Sequence, residues 1–180
     1  MKLITFLLFM NLISNQEALT DFKFKRIQRS ATFTIHGKVE NVFPLFGPIR
    51  EKDWAEGWNP EILYKSGNVL VEEHMIFQTN APNGKEKFTW VITQFQPEKY
   101  LIEYTVSTRE RIWFIRVTCQ GQKETTGVTV SYTYIGLTPE GHQKNEEALK
   151  QMFVHDLKDW QEAINYYLQT GKCLTTKTHN

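Results

Sequence analysis

The stretch VTVSYTYIGLTPEGHQKNEEALKQMFVHDLKDWQEAINYYLQTG, residues 128–171, decides the fold. Its first seven residues alternate between apolar or aromatic side chains and hydroxyl side chains, and this period of two predicts a β-strand over 128–137. The large residues that share one face of that strand are Val128, Val130, Tyr132 and Tyr134. One face of the predicted strand is therefore suited to burial against another layer.

The rest of the stretch predicts a helix. Thr138 is a good N-cap, and Pro139 and Glu140 suit a first helical turn. Gly171 is a natural stop, so we expect one continuous helix to about Thr170, about 45 Å long. A single apolar stripe runs along this helix and consists of Leu149, Met152, Phe153, Leu157, Trp160, Ile164, Tyr167 and Leu168.

The residues upstream of this stretch predict further strands joined by short turns. These strands are expected at 26–36, 62–66, 69–79, 87–95, 100–108 and 111–119. Asn83-Gly84 is a tight-turn signal, 121–127 is a polar turn, and two short helices are expected at 38–46 and 49–54. Short loops favour antiparallel pairing, and one amphipathic helix must cover the sheet. The expected fold class is therefore α+β, with a curved antiparallel sheet wrapped around a long C-terminal helix.

Length and composition limit the classes of function. A chain of 180 residues predicts one domain, here over 21–175 with a tail at 176–180. The formal net charge of +1 gives no electrostatic case for nucleic acid or an acidic membrane surface as a partner. Cys119 and Cys173 have no metal-type spacing, so two free thiols in a reducing compartment are expected.

The first twenty residues have two interpretations. Lys2 followed by the apolar run 3–13 resembles a short signal peptide, although the run is too short to span a bilayer. The cleavage region at Gln16-Glu17-Ala18 is poor, and Met10 offers an internal start that would make residues 1–9 a misassigned extension. We expect a cytoplasmic protein without stable membrane insertion, with export as the alternative.

Three motifs support a resemblance that covers most of the chain. They are VENVF at 39–43, WAEGWNP at 54–60, and the closing helix around Trp160. Together with the order of elements they resemble the helix-grip fold of the SRPBCC superfamily, which includes START domains, pollen allergens and polyketide cyclases. The segment GPIREKDW at 47–54 resembles a bacterial polyketide-cyclase-like subgroup. The resemblance implies a lipid, sterol or polyketide ligand, while some members catalyse and others assist chaperones.

A sheet that curls around one helix predicts a cavity, and large rings suit its lining. The candidate lining residues are Trp90, Tyr104, Trp113, Tyr132, Phe153 and Trp160. Trp54 and Trp58, with the charged residues between and before them, are candidates for the mouth or for core anchors. Arg29 interrupts an apolar strand face, so it either pairs with a ligand carboxylate or lies at a sheet edge with its stem packed on apolar neighbours.

No catalytic motif, cofactor-binding motif or metal-type cluster is recognisable in the sequence. His155 and Asp159 are four residues apart on the predicted helix, and Glu72 and His74 share one face of a predicted strand. A solvated pair is the favoured interpretation of the first, and the second offers only two ligands where a metal site needs three or four. The leading functional hypothesis is a binding module for a small hydrophobic molecule. A polyketide cyclase or dehydratase and a co-chaperone-like protein-binding module are the alternatives.

Overall fold

The computed structural model describes residues 23–81, 84 and 86–175. Within them, seven strands form one sheet in the order β1-β7-β6-β5-β4-β3-β2, and every neighbouring pair is antiparallel. The strands are β1 Arg26–His36, β2 Glu61–Tyr64, β3 Ile76–Asn80, β4 Lys87–Gln96, β5 Leu101–Ser107, β6 Arg111–Gln122 and β7 Thr125–Gly136. The helices are α1 Val39–Val42, α2 Pro139–Met152 and α3 Lys158–Thr170, with 3-10 turns at Phe43–Phe46, Glu51–Asp53 and Pro97–Lys99.

This architecture confirms the expected fold class. The sheet is curved and antiparallel, two short helical segments follow the first strand, and helices close the chain over the concave face. Alternate residues of β5, β6 and β7 are buried on that face, as the period of two predicted. Thr138 caps α2 by accepting a hydrogen bond from the Gly141 backbone N–H at 3.0 Å.

The single long C-terminal helix is the main correction. The chain leaves the helix after Met152 and re-enters it at Lys158, and Asp156 and Leu157 between them adopt left-handed backbone angles. Phe153 and Leu157 are both buried in this break. A straight helix cannot keep every residue of its stripe on a curved sheet. The break lets α2 pack mainly on β7 and α3 on β1.

The segment from Val69 to Met75 is a second correction, because only Ile76–Asn80 of the expected strand 69–79 is a strand. His74 has a positive φ of 67°, so alternation does not continue through it and Glu72 does not share a strand face with it. Glu72 instead accepts hydrogen bonds from the backbone and hydroxyl of Ser66. The expected polar turn at 121–127 is also shorter, since Gln122 already pairs with Thr125.

Several expectations concern residues that the structure does not describe. The predicted leader or extension at 1–20, Asn83 of the predicted turn, and the tail at 176–180 lie outside the described residues. The compartment therefore stays a prediction. In the described part of the chain, no helix has the length and apolar character needed to cross a membrane. Both cysteines are free thiols.

Candidate ligand cavity

A cavity of about 810 Å³ lies between the concave face of the sheet and α2. Strands β3 to β7 supply its wall, α2 and the start of α3 supply its cover, and the segment between β1 and β2 closes one side. Nine aromatic side chains of the described residues contribute to the lining, namely Phe46, Trp58, Phe88, Trp90, Tyr104, Trp113, Tyr132, Tyr134 and Trp160.

Strand register gives the cavity its long axis. On β6 the lining residues follow one another at every second position from Arg111 through Trp113 and Ile115 to Val117. Arg111 pairs with Gly136 near the open ends of the strands, whereas Ile115 pairs with Tyr132 deeper in the sheet. Four residues of strand rise separate Arg111 from Ile115, which is about 13 Å. The cavity thus has an outer end at Arg111 and an inner end near Tyr104 and Tyr132.

The inner end contains one carboxyl group, that of Glu51. This residue begins the 3-10 turn Glu51–Asp53, is half-buried and lines the cavity. Burial raises the pKa of Glu51 to about 8. Burial also raises the pKa of Tyr104 and Tyr132 well above 10, and the nearby Glu51 carboxylate adds to both shifts. At neutral pH the inner end is therefore uncharged and contains proton donors.

Tyr104 lines the cavity and also forms a hydrogen bond within the protein. Its hydroxyl donates a hydrogen bond of 2.5 Å to the backbone carbonyl of Phe46. This bond ties the 3-10 turn Phe43–Phe46 to the middle of the sheet, and the same segment leads to Glu51. The Tyr104 hydroxyl thereby helps to place the Glu51 carboxyl in the cavity.

The outer end carries the Arg111 guanidinium. Its carbon lies 4.8 Å from the centre of the Trp113 ring, 5.8 Å from that of Phe88 and 6.0 Å from that of Tyr134. Nη1 donates to the backbone carbonyl of Lys144 at 3.3 Å, while Nε is buried without a hydrogen-bond partner in the described residues. Cation–π contacts and one hydrogen bond hold this cation at the rim.

The structure brings six of the nine predicted site residues together around the cavity. These are Trp58, Trp90, Tyr104, Trp113, Tyr132 and Trp160. The indole N–H of Trp58 donates to the Pro48 carbonyl at 2.8 Å, and that of Trp90 donates to the Thr79 hydroxyl at 2.9 Å. Both rings therefore present an apolar face to the interior while their polar edge is satisfied.

The other three predicted residues lie outside the lining. Trp54 is a core anchor whose indole N–H donates to the Leu45 carbonyl at 2.8 Å and whose ring meets Trp160 edge to face. Phe153 is buried beneath the helix break. Arg29 lies at the sheet edge, 5.2 Å above the Phe153 ring, and pairs with Asp156 at 3.3 Å. The structure thus gives Arg29 a partner within the chain.

The remaining polar candidates lie apart from the cavity. His155 belongs to the break and Asp159 to the first turn of α3, so they do not share the face of one continuous helix. His74 lies 3.9 Å from the exposed Glu73 carboxylate. Among residues 23–81, 84 and 86–175, no cluster of three or more His, Cys, Asp or Glu side chains is arranged to hold a metal ion.

Sequence reasoning missed Arg111, Tyr134 and Phe88, and it did not single out Glu51 from the charged group around it. Arg111 could have been predicted from the sequence as a site residue, because it begins a strand whose alternate positions are Trp113, Ile115 and Val117. The same pattern, an arginine on an apolar strand face, made Arg29 a candidate in the sequence analysis. No local pattern distinguishes Glu51 from Glu56, since only the packing of their segment decides which one faces inward.

The chain is similar to several solved structures at low sequence identity. Norcoclaurine synthase from Thalictrum flavum has a TM-score of 0.63 and 12% identity, covering 84% of this chain and 99% of that one. For the Zhui aromatase/cyclase from Streptomyces sp. R1128 the TM-score is 0.61 and the identity 12%, with 84% and 100% covered. Major latex-like protein 151 from Panax ginseng has a TM-score of 0.55 and 12% identity, with 76% and 96% covered.

These proteins share the curved antiparallel sheet and the C-terminal helix that were described above. The chain has the helix-grip fold. This is the fold of the SRPBCC, or Bet v 1-like, proteins, so the fold that the resemblance implied is confirmed. No protein-family model and no curated protein sequence matches the chain. At these identities the helix-grip likeness shows the fold alone.

Proposed function

We propose that the protein binds a small hydrophobic molecule, such as a lipid, a polyketide or an aromatic compound, in the helix-grip cavity. The observation that carries this proposal is the aromatic-lined space of about 810 Å³ between the sheet and α2. Cavities that hold small molecules have volumes of roughly 300–1,000 Å³ and a mostly apolar lining with few polar groups. Glu51 and Arg111 are such polar groups in the present cavity.

Similar structures support the proposal. A solved complex of the Thalictrum flavum norcoclaurine synthase, with a TM-score of 0.58 and 15% identity, contains dopamine and hydroxybenzaldehyde. Those ligands are small aromatic molecules, and the wall of the present cavity offers the aromatic faces of Trp113 on β6 and of Tyr132 and Tyr134 on β7. Stacking on such faces favours flat ligands.

Native mass spectrometry of the protein from its own host tests the proposal. We expect a co-purifying molecule of a few hundred daltons, bound one to one. Ala148→Trp places an indole in the cavity from α2 and should remove the molecule. Lys150→Trp adds the same indole to the exposed side of α2 and should leave it bound. Equal occupancy in the two variants would place the ligand elsewhere and contradict the proposal.

A polyketide cyclase or dehydratase is the second candidate. The observation that favours it is the Glu51 carboxyl, which faces the cavity beside Tyr104 and Tyr132 instead of joining a salt bridge. Ring closure of a linear polyketone needs the chain held in a bent conformation and a proton donor for the carbonyl under attack. A protonated carboxyl at the inner end can supply that proton.

Incubation with a linear aryl triketone tests this second candidate. The cyclase hypothesis predicts a cyclised product that has lost one water, at a rate that falls above pH 8 and is abolished by Glu51→Gln. Tight binding of the triketone without any product would reject the cyclase and leave the binding module.

A co-chaperone-like module is the third alternative, and one surface is the place to test it. Four large apolar side chains are exposed on β2 and in the segment after it, namely Leu63, Tyr64, Val69 and Leu70. A stoichiometric protein partner in the native mass spectrum, lost on Leu63→Lys with Leu70→Lys, would favour this alternative.

A further inference from the structure

Glu51 has no hydrogen-bond or salt-bridge partner among the described residues, although its carboxyl lines a cavity to which nine aromatic side chains contribute. The residue is half-buried and its carboxyl is open to the cavity, so a ligand atom placed there can reach it. We propose that Glu51 donates a hydrogen bond to a carbonyl oxygen of the ligand, and that the ligand is a neutral aromatic ketone or quinone. This inference rests on the proposed binding function and specifies its ligand class.

The neighbours of Glu51 leave its carboxyl available. On its own segment, the Arg50 guanidinium is held by the Asp53 carboxylate at 2.6 Å and by the Tyr167 hydroxyl at 3.1 Å. Arg50 lines a separate pocket beside α1 and α3. No cation of the described residues therefore pairs with Glu51.

The titratable groups that face Glu51 from other elements are two phenols, and a carboxylate acts on one of them. Tyr104 faces it from β5 and Tyr132 from β7, while Asp159 on α3 acts electrostatically on Tyr132. The Tyr104 hydroxyl already donates to the Phe46 carbonyl. None of these groups supplies a positive charge, so the environment favours the neutral carboxyl.

Protonation determines which ligand atom fits. Burial raises the pKa of Glu51 to about 8, so the carboxyl holds its proton at neutral pH and acts as a donor. A carbonyl oxygen accepts that proton in a hydrogen bond without any change of charge. An ammonium ligand would instead require Glu51 to ionise in an apolar cavity, which is costly.

The dimensions of the cavity suggest the rest of the ligand. Ile115 lies between Tyr104 and Tyr132 in the register of β5, β6 and β7. About 13 Å of strand separates this level from Arg111 at the outer end. A planar system of two or three rings fits within that length, with its rings along Trp113 and Tyr134 and a carbonyl on the ring edge that faces Glu51.

Three tricyclic probes of nearly equal shape test the inference: 9-fluorenone, fluorene and 9-aminofluorene. The first carries a carbonyl, the second a methylene and the third an ammonium group at the same ring position. Dissociation constants are measured by displacement of bound 8-anilinonaphthalene-1-sulfonate at pH 6.5. We expect fluorenone to bind about tenfold more tightly than fluorene, the ratio that one net hydrogen bond provides.

Variants assign the preference to Glu51. Glu51→Leu should make fluorenone and fluorene bind equally, whereas Glu51→Gln keeps an N–H donor and should retain most of the preference. Glu56→Leu removes an exposed carboxylate of the same segment that does not line the cavity and is the matched control, with the preference unchanged. Raising the pH above 8 should reduce the preference in the wild-type protein but not in Glu51→Gln.

Other outcomes overturn the inference. Equal binding of fluorenone and fluorene by the wild-type protein, or a preference that survives Glu51→Leu, would show that Glu51 does not select a carbonyl. Tightest binding of 9-aminofluorene would make Glu51 an anionic partner and reject the ketone class. If none of the three probes displaces the dye and Ala148→Trp leaves dye binding unchanged, the proposed function fails together with this inference.

Discussion

At the end of the sheet that α3 covers, the concave face is packed, whereas at the end that α2 covers it is hollow. Ile35 of β1, Ile164 of α3 and Trp54 of the intervening segment are all buried in the packed end. The hollow end has comparable strands, with Trp113 and Tyr134 stacked at 5.6 Å between ring centres, but it contains the cavity. The sheet is thus similarly apolar at both ends.

The difference lies in the covering helices. Helix α3 presents Trp160, Ile164 and Leu168 to the core, whereas the buried residues of α2 are Gly141, Asn145 and Leu149. Small and polar residues on a helix that faces large rings leave volume unfilled. The cavity therefore results from what α2 lacks rather than from a gap in the sheet, and each prediction below tests this contrast.

The largest expected effect is the loss of a tryptophan from the packed end. Trp54→Ala should lower the free energy of unfolding by about 3–5 kcal/mol, because it removes a buried ring and leaves the Leu45 carbonyl without its donor. Trp90→Ala at the cavity wall should cost about 1–2 kcal/mol, since part of that ring already faces open space. Urea unfolding of both variants measures the contrast, and equal losses would contradict it.

A larger side chain should destabilise the packed end of the sheet but not the hollow end. Ala31→Phe inserts a ring into the packed core and should cost about 2–3 kcal/mol. Ala148→Phe inserts the same ring from α2 into the cavity, where it displaces no protein atoms, and should change stability by less than about 0.5 kcal/mol. Thermal unfolding followed by circular dichroism compares them. A large loss for Ala148→Phe would mean that the cavity closes in solution.

The Glu51 carboxyl makes the hollow end sensitive to pH. Its pKa in the folded protein is about 8, above the ordinary value of 4.5, so the folded state binds more protons than the unfolded state between these values. Stability should therefore fall as pH rises from 4.5 to 8 and level off above. Glu51→Gln should be neutral at pH 4 and, because the carboxyl faces an open cavity, more stable by about 1–2 kcal/mol at pH 9. Unfolding midpoints across this range give the test, and a pH-independent difference would exclude the raised pKa as its cause.

The smallest expected effect concerns the helix break that separates the two ends. Asp156→Asn removes the charge opposite Arg29 but keeps a residue that tolerates the left-handed backbone. Both side chains of this ion pair are largely exposed, so we expect a loss below about 1 kcal/mol. Ligand binding should be unchanged, which a displacement titration checks. Weakened ligand binding in this variant would indicate that Arg29 contacts the ligand.

Local pattern was sufficient for most of the fold. The strand predicted at 26–36 is the strand observed, and the turn predicted at Pro97 lies between two strands. The strand expected at 69–79 was too long because His74 adopts a positive φ, and no residue type in the segment predicts this backbone conformation. Four of the predicted residues that line the cavity lie on the strand faces of β4 to β7, namely Trp90, Tyr104, Trp113 and Tyr132.

The sequence by itself determined the α+β class, the antiparallel meander, and the strand faces that carry Trp113, Tyr132 and Tyr134, because side-chain alternation and turn chemistry are local properties of the chain. Tertiary structure alone decided where the C-terminal helix breaks, which carboxyl of the 50–56 segment faces inward, and how much space α2 leaves. These depend on the curvature of the sheet and on contacts between residues distant in sequence, such as Arg29 with Asp156 and Tyr104 with Phe46. Local propensity contains no information about such contacts, so the charge and shape of the cavity follow only from the folded chain.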